Sequence, residues 1–223
     1  MMASAKNDRR RPGTIWALNL DEPRTAITPL LDVTFRRIGP ESVSLLIDMM
    51  GDGARAEILR RFETGRRCYV GFVNDQLAAY GWVSLNEEYL GELDLWVRLL
   101  PGEAYIWDCF TLPAFRRKGL YSALLMHILG ELQTNQLCRV WIGADSDNKA
   151  SQHGIARAGF HMVANMVVAR VFAMRLVWVQ GRPDISDSLV AEVRRAFLDD
   201  RDRVWLAAVE KAKTLSYRAN QDA

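Results

Sequence analysis

The sequence contains only three cysteines, Cys68, Cys109 and Cys138, among 223 residues. An odd number of cysteines without a CxxC pair makes neither a disulfide framework nor a zinc motif, so we expect free thiols, no metal centre and a reducing compartment. The first 15 residues also contain no apolar core of a secretory signal. Both absences predict a cytoplasmic protein.

Long hydrophobic runs are absent as well. The most apolar stretch, residues 162–179, is interrupted by Asn165, Arg170 and Arg175. Because a charge near the centre of a bilayer is costly, we predict no membrane partner and assign this stretch to the core. One strand of that length would be unusual, so we predict two strands that are bent near residues 170–175.

Excess charge is also missing, since the net charge is +2, and this value does not indicate a nucleic-acid partner. One dense basic run, KNDRRRPG at residues 6–13, lies among polar residues and is typical of a solvated tail. The alternative is a nucleic-acid arm that uses Arg9, Arg10 and Arg11 to contact phosphates. We predict a loose N-terminal segment over residues 1–25.

The composition changes after QGRPD at residues 180–184, and we predict a helical appendage over residues 181–223. Ser186 or Ser188 can cap a first helix, whose apolar stripe is Leu189, Val193, Ala196 and Phe197. A second helix would carry Val204, Ala208, Val209, Ala212 and Leu215. Short amphipathic helices are marginal alone, so we expect them to pack on the domain or on a second copy of the chain, as in a homodimer.

Residues 116–119, RRKG, lie between an apolar strand ended by Pro113 and an amphipathic helix over residues 121–133. The first amides of a helix have no intrahelical acceptor, and the helix dipole is positive at that end. Three cations and a glycine added there make a pyrophosphate site. The alternative interpretation is a solvated basic turn.

This turn, together with a following helix, a strand, Asn148 and the pair Gly159–Phe160, resembles the signature of the GCN5-related N-acetyltransferase (GNAT) superfamily. The resemblance covers residues 33–179. It implies an α+β fold in which a mixed, mostly antiparallel central sheet is flanked by helices, here over residues 26–180. It also implies acetyl-CoA as cosubstrate.

The resemblance implies a set of cofactor-binding residues. Backbone groups of the strand would hydrogen-bond the pantetheine arm, from Cys109, Phe110 and Thr111. The turn and helix start would cradle the pyrophosphate, with Arg116, Arg117, Lys118, Gly119, Leu120, Tyr121 and Ser122. Asn148 would contact the pantetheine or the phosphate region, besides capping its helix.

Two positions depart from the family pattern. Tyr121 stands where the signature has a second Gly or Ala, so its phenol must point away from the phosphates or lie over the pantetheine. Ile155 stands where many relatives have the tyrosine that protonates the leaving thiolate. Either another group donates this proton, with Ser151 and His153 as candidates, or the thiolate leaves unassisted.

Asp108 is the first candidate for the base that takes a proton from the acceptor amine. It is an ionisable residue in an apolar strand, where burial would raise its pKa, and the alternative is an ion pair with an arginine. Tyr105 is nearest to the family position of a base glutamate, and as a phenol it would orient a water. Cys109 could carry the acyl group as a covalent intermediate, but its apolar neighbours favour a small buried residue without a catalytic role.

Other polar and aromatic residues could form the acceptor site. The predicted loop NEEYLGELDLW, residues 86–96, could receive a cation or simply be solvated; its carboxylates are Glu87, Glu88, Glu92 and Asp94. Four aromatic residues could wall the pocket or fill the core: Tyr80, Trp82, Trp96 and Trp107.

We therefore expect an acetyl-CoA-dependent N-acetyltransferase that transfers the acetyl group directly to a small amine in a ternary complex. The alternative is a non-catalytic acyl-CoA-binding module, which Ile155 and the lack of an obvious base would favour.

Overall fold

A computed structural model of the protein describes residues 10–171 and 174–199. Its strands are β1 (Arg10–Asn19), β2 (Thr34–Ile38), β3 (Arg67–Val73), β4 (Gln76–Ser84), β5 (Glu87–Leu90), β6 (Leu95–Arg98), β7 (Glu103–Thr111), β8 (Arg139–Asp145), β9 (His161–Val171) and β10 (Met174–Gly181). Its α-helices are α1 (Val43–Met50), α2 (Arg55–Glu63), α3 (Leu120–Thr134), α4 (Lys149–Arg157) and α5 (Asp187–Phe197).

Eight strands form one sheet in the order β10-β9-β1-β8-β7-β4-β3-β2. Every neighbouring pair is antiparallel except β7 and β8, which are parallel. The predicted α+β class, with a mixed and mostly antiparallel sheet flanked by helices, is confirmed.

Alternation along the strands gives the sheet two buried faces. On one face, α3 and α4 pack on side chains such as Leu18, Ile106 and Ile142. On the other face, α5 packs on residues such as Trp141, and α1 and α2 pack around Trp82. The cofactor signature and the C-terminal helix therefore lie on opposite sides of the sheet.

The expected loose N-terminal segment is wrong from residue 10 onward. β1 lies inside the sheet, between β8 and β9, and Ile15 and Leu18 are each 1% exposed. Pro12 is tolerated because the ladder with β8 begins only at Gly13, so the missing N–H of the proline leaves that ladder intact. The basic run at residues 6–13 led to the prediction of a solvated tail, although the residues that follow it are mostly apolar.

The predicted acidic loop at residues 86–96 is also wrong, because β5 and β6 pair there as an antiparallel hairpin. Leu95 and Val97 of this hairpin are fully buried against α5 and the sheet. The two predicted strands within residues 162–179 are confirmed as β9 and β10.

The first predicted helix of the appendage is confirmed as α5. The Ser186 side chain caps it, accepting a hydrogen bond from the Leu189 amide at 3.4 Å. Val193, Ala196 and Phe197 are almost completely buried. The second predicted helix lies outside the described residues. Within the described ranges, no helix is long and apolar enough to cross a membrane.

Candidate active site

The two central strands β7 and β8 separate halfway along their length. Their parallel pairing runs from Glu103 opposite Arg139 to Ile106 opposite Ile142. Beyond that point β7 continues beside β4 as far as Thr111, and β8 continues beside β1 as far as Asp145. The carboxyl ends of the two strands therefore diverge and leave an opening in the sheet.

A β-bulge in β7 lies at the start of this opening. Tyr80 faces Phe110 and Trp82 faces Trp107, so Gly81 alone lies opposite Asp108 and Cys109. Asp108 has the positive φ of 42°, and a bulge of this kind bends its strand. A Cβ on Gly81 would lie 2.9 Å from the Cys109 sulfur, so a glycine is needed where the bulge packs.

The opening continues into a cleft of about 730 Å³. Its walls come from β1, β7, β8, the β5–β6 hairpin and all helices described except α1. It brings together five residues of the predicted site, namely Tyr105, Asp108, Cys109, Tyr121 and Asn148. The turn at residues 116–119 is not part of this lining and follows β7 directly in the chain.

The turn at residues 116–119 has the backbone expected of an anion site. Arg117 and Gly119 have positive φ angles of 60° and 80°. Within the described residues, no backbone carbonyl accepts from the amides of residues 120–122, and the first helical bond runs from Ala123 to Gly119. Free amides at a helix start beside left-handed residues fit a phosphate group.

The basic side chains of the turn differ in what they contact. Arg116 donates from Nε to the Thr111 carbonyl at 3.0 Å, and its guanidinium lies over the Phe110 ring. The Lys118 ammonium is 5.9 Å from the centre of the Phe115 ring. Arg117 is exposed, as Arg116 is, so its guanidinium is accessible to a bound anion.

Two further predicted residues stabilise α4. Asn148 caps it, with Oδ1 accepting from the Ser151 amide at 3.0 Å, as the sequence predicts. The Ser122 hydroxyl is buried and donates to the Gly154 carbonyl at 3.0 Å. Ser122 therefore joins α3 to α4 through its side chain, and only its amide is left for a ligand.

Asp108 is a third exposed and forms an ion pair, whereas the sequence predicted a buried base. Its Oδ2 accepts from Arg61 at 2.5 Å, and its Oδ1 accepts from the Tyr80 hydroxyl at 3.4 Å. Arg61 also binds Glu57, and its guanidinium lies over the indoles of Trp82 and Trp107. This geometry favours the ion-pair interpretation, and the role of Asp108 as base stays a prediction.

Tyr105 is almost completely buried, and its ring packs edge-on against Phe197. Burial raises the pKa of Tyr105 far above its ordinary value, and the nearby Glu88 charge raises it further. The phenol is therefore neutral at every ordinary pH, so Tyr105 cannot itself be the base, and its hydroxyl can serve as a hydrogen-bond partner for water.

Glu88 lines the cleft, in the segment for which the sequence predicted a loop that either receives a cation or is solvated. Its side chain is 5% exposed and binds Arg66 at 2.9 Å. Ser84 donates to the same carboxylate at 2.5 Å and accepts from the Trp107 indole at 2.9 Å. No local pattern reveals this role, because it depends on the fold of the hairpin. Exposed Tyr89 and Trp96 stack on the same hairpin.

The cleft thiol and the α4 histidine are poor candidates for acyl or proton transfer. Burial raises the pKa of the Cys109 thiol, and the Asp108 charge adds to the effect, so Cys109 stays protonated and is a weak nucleophile. His153 is exposed and does not line the cleft, whereas Ser151 does. Ile155 is fully buried in the core.

The sequence model of the acetyltransferase (GNAT) family matches residues 36–160 of the chain. The chain therefore belongs to this family, as the motif predicted, and the family generally binds acetyl-CoA. No curated protein matches it.

Among solved structures, a GNAT-family acetyltransferase from Colwellia psychrerythraea is 17% identical with a TM-score of 0.51 and covers 77% of this chain. A putative GNAT-family acetyltransferase from Novosphingobium aromaticivorans is 16% identical with a TM-score of 0.52 and covers 72% of this chain. This chain spans 56% and 63% of the lengths of those two proteins. At such identities the likeness concerns the fold alone.

Proposed function

We propose that the protein is an acetyl-CoA-dependent N-acetyltransferase that passes the acetyl group directly to a small amine bound in the same cleft. One observation carries the proposal, namely the opening between β7 and β8 with an anion-binding turn directly after it. The pantetheine arm of acetyl-CoA is extended and ends in a pyrophosphate, so it would fit an opening that leads to such a turn.

The residues of this chain fit acetyl-CoA in two places. Beyond Ile106, β7 pairs with β4 on one side, and no described strand covers its other side. The backbone groups of residues 109–111 that point away from β4 would bind the pantetheine arm as a neighbouring strand does, except the Thr111 carbonyl, which accepts from Arg116. The free amides of residues 120–122 and the Arg117 guanidinium would hold the pyrophosphate. Bound acetyl-CoA would supply an acetyl group already activated as a thioester.

The acceptor site would occupy the part of the cleft that faces the hairpin. Glu57, Glu88 and Asp108 lie there, and each already binds an arginine. An amine must lose its proton before it attacks. We propose that Tyr105 orients water that carries this proton away and that Asp108 holds Arg61 in the wall. In the competing proposal Asp108 itself takes the proton.

A non-catalytic acyl-CoA-binding module is the second candidate. The buried Ile155 favours it, since a side chain without a proton stands where many relatives have the donor. The arginine partners of the cleft carboxylates favour it as well, because they occupy the oxygens that would have to accept the proton of the amine.

A screen of amines against acetyl-CoA, read by release of free thiol, separates the two candidates. We expect at least one small amine to support turnover by the wild type and none to do so with Gly119→Glu. If calorimetry detects CoA binding but no amine in a broad library gives thiol, the binding module replaces the enzyme.

A further inference from the structure

Tyr121, the second residue of α3, is fixed in a notch on α4. A Cβ on Gly154 would lie 2.4 Å from Cδ1 and 2.8 Å from Cε1 of the Tyr121 ring. Atoms do not approach so closely, so the missing side chain of Gly154 makes room for the phenol ring. The neighbouring bond from the Ser122 hydroxyl to the Gly154 carbonyl, at 3.0 Å, holds the two helices together at this point.

From this notch the Tyr121 side chain reaches the cleft. It lines the cleft together with Cys109 on β7, Ala144 on β8 and Ser151 on α4. Ser151, the Cys109 thiol and the Tyr105 hydroxyl are near enough to the phenol to affect its pKa. The phenol is thus at the opening between β7 and β8, beside the strand segment that would bind the pantetheine.

The Tyr121 phenol holds its proton firmly. Burial raises the pKa of Tyr121 well above its ordinary value, although Ser151 offsets part of that effect. A thiolate released in the same desolvated place is also more basic than in water, because burial disfavours every anion there. The pKa difference between the Tyr121 phenol and the released thiol is therefore smaller in the cleft than if burial raised the pKa of the phenol alone.

We propose that the Tyr121 hydroxyl is the proton donor to the sulfur that leaves during acetyl transfer, in the place of the absent phenol at Ile155. This inference rests on the proposed function. The carbon–sulfur bond of the thioester breaks as the carbon–nitrogen bond to the amine forms. Tyr121 Oη gives its proton to the sulfur and regains one from cleft water, which takes up the proton lost by the amine. No oxidant or further reactant is needed.

The other groups on the described cleft wall fit this role less well. The Tyr105 phenol is almost completely buried against Phe197, and the Cys109 thiol is itself no stronger an acid than the thiol being formed. Ser151 has a hydroxyl that is a far weaker acid than a phenol, and its position beside Tyr121 suits it to orient the donor.

Tyr121→Phe tests the inference, because it keeps the ring in the Gly154 notch and removes only the hydroxyl. We expect the turnover number to fall by about 10² or more, with little change in the KM for acetyl-CoA. Acetyl donors with a more acidic thiol need less protonation, so we expect the loss to shrink for them. Gly154→Ala, which pushes the ring out of the notch but leaves the hydroxyl in the chain, should lose turnover as well.

A binding measurement tests the same contact without turnover. CoA and CoA lacking its sulfur are titrated calorimetrically into wild type and Tyr121→Phe at pH 7 and at pH 9.5, above the pKa of about 8.5 for an ordinary thiol. A hydrogen bond from Tyr121 Oη to a thiolate should make the wild type bind CoA about tenfold more tightly than the variant at pH 9.5. The two proteins should bind the sulfur-free analogue equally, and Tyr80→Phe should show no such pH-dependent loss.

Equal CoA affinities of wild type and Tyr121→Phe at pH 9.5 would overturn the inference, and so would an unchanged turnover number of the folded variant. Failure of the proposed function has a different signature, since the wild type would then either bind neither CoA nor its sulfur-free analogue, or bind CoA and release no thiol with any amine.

Discussion

The charge on Asp108 is part of a small ion-pair network that packs on aromatic rings. Arg61 binds Glu57 and Asp108 while its guanidinium lies 5.0 and 4.5 Å from the ring centres of Trp82 and Trp107. Its side chain is 11% exposed, so its charge needs these partners. The cleft wall is therefore held together by ion pairs at this point, and the Asp108 carboxylate is already engaged.

Asp108→Asn is expected to fold and to retain most of its turnover. Asparagine tolerates the positive φ at this position as aspartate does, and Arg61 keeps Glu57 as a partner. Loss of the partly exposed ion pair should lower the free energy of unfolding by about 1 kcal/mol. Denaturant unfolding and turnover from pH 6 to 9 check the two expectations.

Asp75→Asn is the matched control, because Asp75 also has a positive φ, of 59°, and is exposed. It should leave both stability and turnover unchanged. A loss of about 10²- to 10⁴-fold in turnover by Asp108→Asn at wild-type stability would instead identify Asp108 as the general base.

At the scale of elements, α4 begins at a side-chain cap that also faces the cleft. Asn148→Ala removes the acceptor for the Ser151 amide and should lower the free energy of unfolding by about 1 kcal/mol. Asn148→Ser can still cap the helix, so its free energy of unfolding should stay close to that of the wild type. If both variants lose CoA affinity equally, the amide of Asn148 contacts the ligand as well, whereas loss by the alanine variant alone would limit Asn148 to capping.

The helix α5 joins the hairpin to the sheet through Phe197. This side chain is 1% exposed and packs edge-on against both Tyr105 and Trp141. Phe197→Ala should therefore lower the free energy of unfolding by about 3 kcal/mol or more. Leu189→Ala, at a half-buried position of the same helix, should lower the free energy of unfolding by only about 1 kcal/mol. Similar small losses for both variants in denaturant unfolding would show that α5 is not docked in solution.

At the scale of the whole molecule, local patterns predicted the parts of the fold that local chemistry determines. The RRKG turn, the Asn148 cap and the Ser186 cap each depend on residues within a few positions of one another, and all three structural features are present. The order of strands and helices from β7 to α4 follows from the same signals.

The rest depends on pairing between distant residues. β1 joins the sheet only because β8 and β9, more than 120 positions later, leave a place for it, and its Pro12 and Gly13 look like loop residues. Glu88 enters the cleft because the hairpin packs on α5, and Asp108 meets Arg61 from 47 positions away. Sequence alone named Asp108 and Glu88 as charged residues of the site, but it predicted neither Glu57 nor the arginine partners of these carboxylates.

The central claim is that the turn before α3 binds the pyrophosphate of CoA, and calorimetric titration of CoA tests it most directly. The wild type should bind CoA, and Gly119→Glu should bind it at least tenfold more weakly, because the substitution adds a negative charge next to the amides that would hold the phosphates. Gly65→Glu is the matched control, since Gly65 has a φ of 81° and open space around its Cα, and it should bind CoA as the wild type does. Equal affinities of wild type and Gly119→Glu would contradict the account.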